Sequence, residues 1–509
     1  MNFRSTALAA ASGLLLVFIF PAFDIHLLAW IALVPLFLAL NGQSVRNGFL
    51  LGGTTGIIYF AGTVHWITNS IHSYGGVPLI PASLITLLLC VYLALYPALF
   101  GGAVVHLGKQ HPLLFPLSAP AIWTALELAR THAFSGFPWS LLGYSQYRSL
   151  LLIQISDVTG VYGVSFLIVL VNAAVAEFLM DRERYPLLII SAVTMTIVLG
   201  YGFMRLHNRQ DSGVVTVSVV QGNIEQDKKW DPAYQTEVIA AYTRLTQEAL
   251  KQQPDIVIWP ETSVPFYFNG KGQRESMLRM DLTAFVKSNG VPLLFGSPTY
   301  GGRLGGDMHL RNSAFLLTEE GMIGAVYHKL HLVPFGEYVP LKNILFFAVK
   351  MVQAACDFES GSTYTVMTVI PHGAGAREVK IGTVICYEII FPDLVRRFVD
   401  RGAGIITTIT NDAWFGRTSA PYQHFSTAVF RAVENRVPVA RAANTGVSGF
   451  IDAQGRILDS SSIFTRAYLT RRLTPGSFET FYTRYGDVFS YLCVFASIVL
   501  LAAIRPRFP

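Results

Sequence analysis

The run EVKIGTVICYE at 378–388 decides the fold of the second half of this chain. Its apolar, β-branched residues predict a buried strand, and the strand stops at Cys386, Tyr387 and Glu388. A helix over 391–400 follows at once. Working outward, the same alternation recurs on both sides. Upstream, 214–224 and 255–261 read as strands separated by an amphipathic helix over 233–252. A helix over 275–289 leads to a strand at 292–298, and 312–318 with 322–327 resemble a hairpin. Downstream come a strand at 404–412, a helix over 421–436 and strands at 437–443 and 448–455. Strands interleaved with helices in this way predict a layered α/β domain. No internal repeat and no low-complexity stretch is visible.

The first 205 residues follow another rule. They hold 14 charged side chains against 56 in the remaining 304, in a chain of 509 residues that is 52% apolar and 14% charged. An average soluble domain is about 25% charged. So charge-poor a stretch cannot present a water-facing surface, which excludes a wholly soluble protein and a disordered or collagen-like one. Seven apolar segments lie at 6–22, 25–40, 48–71, 79–107, 113–130, 161–180 and 186–204, and an eighth runs over 487–504. Each approaches the length that crosses about 30 Å of hydrocarbon. The first lacks a small-residue cleavage site and reads as a retained helix.

Arg4, Arg46, Lys109, Arg182, Arg184, Arg505 and Arg507 fall on one side of these segments, with little beyond Arg130 and Arg148 on the other. The positive-inside rule then puts both termini in the cytoplasm and residues 206–486 outside. The expected division is a seven-helix membrane domain over 1–205, an extracytoplasmic α/β domain over 206–486, and an eighth helix with a cytoplasmic tail over 487–509. The net charge of +6 sits partly at membrane ends and gives no support to nucleic-acid binding; four cysteines exclude a disulfide scaffold. In the loop 131–160, GFPWSLLGYSQ at 136–146 is apolar and aromatic yet broken by glycine and proline. It fits an interfacial or re-entrant segment with Trp139 and Tyr144 at headgroup depth, or the wall of a path by which lipid arrives.

Three polar residues stand where a strand has just ended: Glu261 in DIVIWPE, Lys329 in YHKLHLVPFGEYVP and Cys386 in KIGTVICYE. In layered α/β sheets, strand ends and the turns after them are where catalytic groups collect. A thiolate is a good nucleophile, a carboxylate can take its proton, and an ammonium can stabilise the oxyanion that forms on an attacked carbonyl. Each residue also has a plain structural role open to it. A strand-end cysteine is usually a small buried hydrophobe, and strand-end Glu or Lys is usually a solvated loop charge.

Together, WPE at 259–261, HKLHLVPFGEYVP at 328–340, ICYE at 385–388 and TNDAWFG at 410–416 resemble the carbon–nitrogen hydrolase (nitrilase) superfamily. With QGNIEQDKKW at 221–230 and the flanking apolar segments, the chain resembles the membrane-embedded, lipoprotein-acylating branch of it. The resemblance implies an αββα sandwich beside eight transmembrane helices in a bacterial inner membrane, with the catalytic domain in the periplasm. It implies Glu261 as base, Lys329 as oxyanion stabiliser and Cys386 as nucleophile. Glu337 matches a second carboxylate that holds the lysine, and Tyr387 and Glu388 flank the nucleophile. Capping of the helix 391–400 is the alternative for Glu388. Trp230 matches a family tryptophan near the acyl or lipid site, with loop packing as its alternative. Asn411 and Asp412 fit a capping role in the loop after their strand.

The reaction so implied is a ping-pong acyl transfer through a Cys386 thioester, with no metal or cofactor called for. The donor is a phospholipid of the bilayer, commonly phosphatidylethanolamine. The acceptor is the α-amine of an S-diacylglyceryl cysteine on an apolipoprotein, and the enzyme is expected to act as a monomer. The alternatives are a membrane-tethered amidase with the same three residues and a transporter with an accessory domain. Few ionisable residues lie deep in the apolar segments, which speaks against transport. A Cys356–Cys386 disulfide would disable the nucleophile, so both are expected reduced. The run NILFFAVKMVQAAC at 343–356 has helical spacing and fits either a core helix or a lid that brings Phe346 and Phe347 over the acyl site.

Overall fold

Two sheets of six strands carry the second half of the chain. The computed structural model describes residues 2–110, 115–207, 213–304, 307–338, 358–372, 377–477 and 479–502. The first sheet holds β1 (Val215–Gln221), β2 (Ile256–Ile258), β3 (Leu293–Leu304), β4 (Asp307–Leu317) and β5 (Ile323–His328). The second holds β6 (Val366–Val369), β7 (Val379–Ile385), β8 (Ile405–Thr410), β9 (Val439–Ala443), β10 (Gly449–Ile451) and β11 (Ile457–Ser460). β12 (Ala467–Leu473) returns to the edge of the first sheet beside β1, giving the orders β12-β1-β2-β3-β4-β5 and β11-β10-β9-β8-β7-β6.

Each sheet has three parallel strands at its centre, β1–β2–β3 and β7–β8–β9, with antiparallel strands outside them. The central strands are apolar on both faces because both faces are covered. Val217, Val219, Ile256 and Ile258 of one sheet share a core with Ile381, Val384, Ile405, Ile409 and Val439 of the other. Helices Gln235–Leu250 and Gln273–Asn289 cover the outer face of the first sheet through a second core around Tyr242, Trp259, Leu282 and Phe295. Helices Pro392–Asp400 and Ala420–Asn435 cover the second. The result is the αββα sandwich expected from the sequence.

The described residues up to 207 are mostly helical. Leu79–Gly108, Val161–Met180 and Arg182–His207 are long and apolar enough to cross a membrane; Phe3–Phe18 and Val488–Ala502 are apolar and shorter. Leu84, Leu88, Ile197 and Phe203 point outward uncovered, as side chains facing hydrocarbon would. The segment expected as one helix at 25–40 is broken. A 3₁₀ turn at His26–Trp30 is followed by the helix Val34–Leu40, which begins around Pro35, a residue with no N–H to continue an earlier turn. Seven residues rise only about 10 Å.

Helix Ala420–Asn435 is buried almost from end to end, because the second sheet lies on one side of it and the apolar half on the other. Its polar residues make the seam. Gln423 donates through Nε2 to the carbonyls of Pro21 at 2.9 Å and Thr63 at 3.2 Å, and accepts from Trp139 Nε1 at 2.8 Å. Glu434 accepts from the Val161 N–H at 3.1 Å, and Arg436 pairs with Asp157 at 2.8 Å. Gln423→Leu should therefore leave buried donors and acceptors unpaired, at roughly 1–3 kcal/mol for each group so orphaned. The expected result is a lower thermal unfolding midpoint in detergent micelles; an unchanged midpoint would show that the seam does not depend on this amide.

Candidate active site

Glu261 lies three residues beyond β2, where the chain must turn sharply. Thr262 takes the left-handed conformation with φ 46°, and Gly296 of β3 lies directly beneath. A Cβ at Gly296 would sit 2.5 Å from the Thr262 nitrogen, so only glycine lets the turn pass this close. The carboxylate is then fixed from two sheets. Oε1 accepts from Asn312 Nδ2 of β4 at 2.7 Å, and Oε2 from the Asn411 N–H just beyond β8 at 2.8 Å.

Lys329 follows β5, and its N–H is held by the Asn312 carbonyl at 2.9 Å. Its buried ammonium lies 2.8 Å from Glu337 Oε2 and 3.9 Å from Glu261 Oε1. Burial alone would loosen the Lys329 proton, but Glu337, Glu261 and the thiol outweigh it, and the proton is held more tightly than usual. Asn312 Nδ2 also donates to Glu337 Oε1 at 3.0 Å, so one amide separates and orients both carboxylates.

Cys386 begins the 3₁₀ turn Cys386–Ile390 that ends β7, and it takes φ 52°, a strained conformation for a residue with a Cβ. The thiol is a free one, 8% exposed. Burial pushes its pKa up from the ordinary value and Glu261 pushes the same way, while Lys329 opposes them without reversing the shift. The resting sulfur is a protonated thiol, not the preformed thiolate that a neighbouring cation alone would favour. Any reaction of this sulfur as a nucleophile therefore requires its proton to be removed.

Glu388 binds the two sheets at this point. Oε1 accepts from the Tyr327 hydroxyl at 2.8 Å and from the Leu330 and His331 N–H groups at 2.7 and 3.0 Å; Oε2 accepts from the Ile385 N–H at 2.7 Å. Burial pushes this carboxyl up to about 7 against those donors. Glu388 thus caps the cysteine turn and the lysine loop. Helix Pro392–Asp400, the capping target considered from sequence, has no side-chain cap.

The remaining sequence candidates fall as follows. The Tyr387 hydroxyl donates to the Gly136 carbonyl of the apolar half at 3.2 Å. Trp139 is 1% exposed and lies at the seam, stacked on His424 at 5.5 Å and 29°. Trp230 ends the short helix Gln226–Trp230 and is 45% exposed. Phe346 and Phe347, the lid 343–356 and Cys356 lie outside the described residues.

Three groups in the site were not singled out from sequence. Lys229 is fully buried and donates to the Glu261 carbonyl at 2.8 Å; burial lowers it to about 7, with Glu261 and Cys386 opposing. Asn312 sits mid-strand and carries no local signal. His424 reaches Cys386 through the backbone, its Nε2 lying 3.1 Å from the Cys386 carbonyl.

Comparison with known proteins places the chain in a family. Residues 216–481 match the family model for carbon–nitrogen hydrolases, and residues 12–174 match the apolipoprotein N-acyltransferase N-terminal domain. A Geobacter metallireducens apolipoprotein N-acyltransferase is 42% identical over 507 residues, covering 98% of this chain and 95% of that one. Proteins of the same name from Methylococcus capsulatus and Haemophilus influenzae are 34% and 32% identical, covering 95% and 94% of this chain and 93% and 91% of theirs. Fold and site define a carbon–nitrogen hydrolase joined to an apolar helical half. The joining of the two halves over the full length narrows this further: the chain belongs to the apolipoprotein N-acyltransferase family.

The electrostatics make a directional prediction. Glu261→Gln removes a charge that raises the Cys386 thiol, so more thiolate is present at pH 8 and iodoacetamide should alkylate Cys386 faster than in the unaltered protein. Peptide mass spectrometry reads the rate at this cysteine alone. Slower alkylation would mean that Glu261 acts on the resting thiol as a base and not as a repelling charge.

Proposed function

We propose that this protein transfers an acyl chain from a membrane phospholipid to the α-amine of the N-terminal S-diacylglyceryl cysteine of apolipoproteins. The observation that carries the reading is the meeting of Glu261, Lys329 and Cys386 from three strand ends, in a chain whose relatives are apolipoprotein N-acyltransferases over their full length. In this reading Glu261 takes the Cys386 proton as sulfur attacks the ester carbonyl. Lys329 stabilises the tetrahedral oxyanion, its own charge held in place by Glu337. The C–O ester bond breaks, Glu261 returns the proton to the departing lysophospholipid oxygen, and a thioester remains. The acceptor amine then attacks, Glu261 accepts its proton, a second oxyanion forms on the same carbonyl, and sulfur leaves to be reprotonated. Water must be kept from the thioester between the two steps, and the burial of the site supports this.

Further parts of the reading are the apolar half over 1–205 and the last helix, crossing the bilayer eight times in all, with the catalytic domain over 206–486 in the periplasm. Phosphatidylethanolamine is the proposed donor and a monomer the working unit. Trp230 and Trp414, both partly exposed, are the proposed contacts for acyl chains. The segment 343–356 is proposed as the lid that carries Phe346 and Phe347.

Intact-mass analysis after incubation with phosphatidylethanolamine alone should show one acyl group on Cys386, released only when a diacylglyceryl lipopeptide with a free amine is added. Release by water alone would favour an amidase or lipase. Lys329→Ala should slow both formation and release of the acyl-enzyme, each on the order of a hundred- to a thousandfold, because an oxyanion forms in each. Normal acylation with failure only at the amine step would assign Lys329 to acceptor placement. Reporter fusions after Gly272 should be active only as periplasmic reporters; a cytoplasmic signal would overturn the topology.

A further inference from the structure

His424 lies on the helix Ala420–Asn435, fully buried, outside the three residues that react. Its Nε2 is 3.1 Å from the Cys386 carbonyl oxygen, which can only accept, so Nε2 carries the hydrogen. Nδ1 lies 2.9 Å from the Arg441 guanidinium, which can only donate, and 3.1 Å from Asp412 Oδ1, which can only accept. Burial and then Arg441 lower its pKa from the ordinary value, against Asp412, so the ring is neutral with its one hydrogen on Nε2. Arg441 is fixed in turn by Asp412 at 2.8 Å, and Asp412 by the Thr410 hydroxyl at 2.8 Å. Trp139 closes the ring's face from the apolar half. A neutral histidine held this firmly on all sides, giving its one hydrogen to the cysteine's main chain, calls for a reason.

The reason lies in the peptide that follows the sulfur. In a planar trans peptide the C=O and N–H point in opposite directions. Fixing the Cys386 carbonyl against His424 therefore turns the Tyr387 N–H the other way. That N–H has no acceptor among the described residues, as expected for the first amide of a helical turn. Cys386 holds φ 52°, so the orientation of this peptide is not one the chain would adopt unaided.

We infer that His424 is a positioning residue for acyl transfer: it holds the Cys386–Tyr387 peptide so that the Tyr387 N–H faces the developing oxyanion beside Lys329. This deepens the proposed function and rests on it for the lipid substrate, although the oxyanion argument holds for any acyl ester. The turn Cys386–Ile390 is capped independently by Glu388, so removing His424 loosens the peptide without dissolving the turn.

The test uses the full-length protein in micelles and two reagents for the same sulfur. Acylation by p-nitrophenyl butyrate passes through an oxyanion, whereas iodoacetamide alkylates by displacement at a saturated carbon and forms none. His424→Leu should cut the acylation rate on the order of a hundredfold while leaving Cys386 alkylation within about twofold. His424→Gln, whose Nε2 can reach the same carbonyl, should recover at least about a tenth of the lost rate. Unchanged acylation in His424→Leu overturns the inference, and so does a parallel fall in both reactions, which would mean only that the residue holds the fold. Equal acylation by the Leu and Gln variants also overturns it, because the donated hydrogen would then be irrelevant. If the unaltered protein acylates from the simple ester but not from phospholipid, the proposed lipid donor fails while the inference about His424 stands.

Discussion

A single buried carboxylate holds the reacting parts at their spacing. Glu388 receives hydrogen bonds from β5, from the two residues after Lys329 and from the end of β7. These elements belong to different sheets, and nothing in strand pairing relates one sheet's register to the other's. The Lys329 loop and the Cys386 turn are set relative to each other by this group, and Glu261 is brought to them by the Asn411 N–H, again across the sheets. Burying a carboxylate is costly unless its oxygens are satisfied, and here both are. With four donors converging on it, any shift of one sheet against the other leaves a charge or a donor unpaired.

The site is electrostatically crowded and dry. Glu261, Glu337, Glu388, Lys229 and Lys329 lie within reach of one another, and burial moves Glu388 and Lys229 both toward about 7. The thiol responds to the nearest carboxylate more than to the nearest ammonium and stays protonated at rest. Such a cysteine is inert to casual oxidation and alkylation, since the thiolate is the reactive form. In the proposed reaction the carboxylate takes its proton as a carbonyl receives the electrons.

The layered α/β domain and the three strand-end residues were legible because β-branched runs mark strands and the first polar residue past each run marks its end; the sandwich itself came only from the family resemblance. WPE, HKL and ICYE all have that form. Asn312 and His424 were not. Asn312 sits inside β4, where a polar residue reads as the solvent side of a hairpin, and its role depends on Glu261 and Glu337 reaching it from the loops after β2 and β5. His424 occurs in a helix whose polar face reads as wet, and that face is dry only because the apolar half covers it. The matching arrangement of the two sheets left no trace in the sequence either, since three parallel strands flanked by antiparallel ones can be written in many unrelated residues. Segment 25–40 has the composition of one span, and a break at Ile31–Leu33 changes direction without changing hydropathy.

The seam around Gln423 bears on how the chain is made. Its partners, the carbonyls of Pro21 and Thr63 and the indole of Trp139, all leave the ribosome long before Gln423 does. The apolar helices can be inserted and assembled while the α/β domain is still being synthesised. Helix Ala420–Asn435 then has a finished surface to fold against, with polar groups already waiting for its amide. The newly made amino-terminal half acts as a template for the domain that follows it, and the final helix at Val488–Ala502 packs against Phe115–His132 and Val161–Met180 last of all. The cysteine turn, whose Tyr387 hydroxyl donates to the Gly136 carbonyl, is likewise made after the apolar partner it meets.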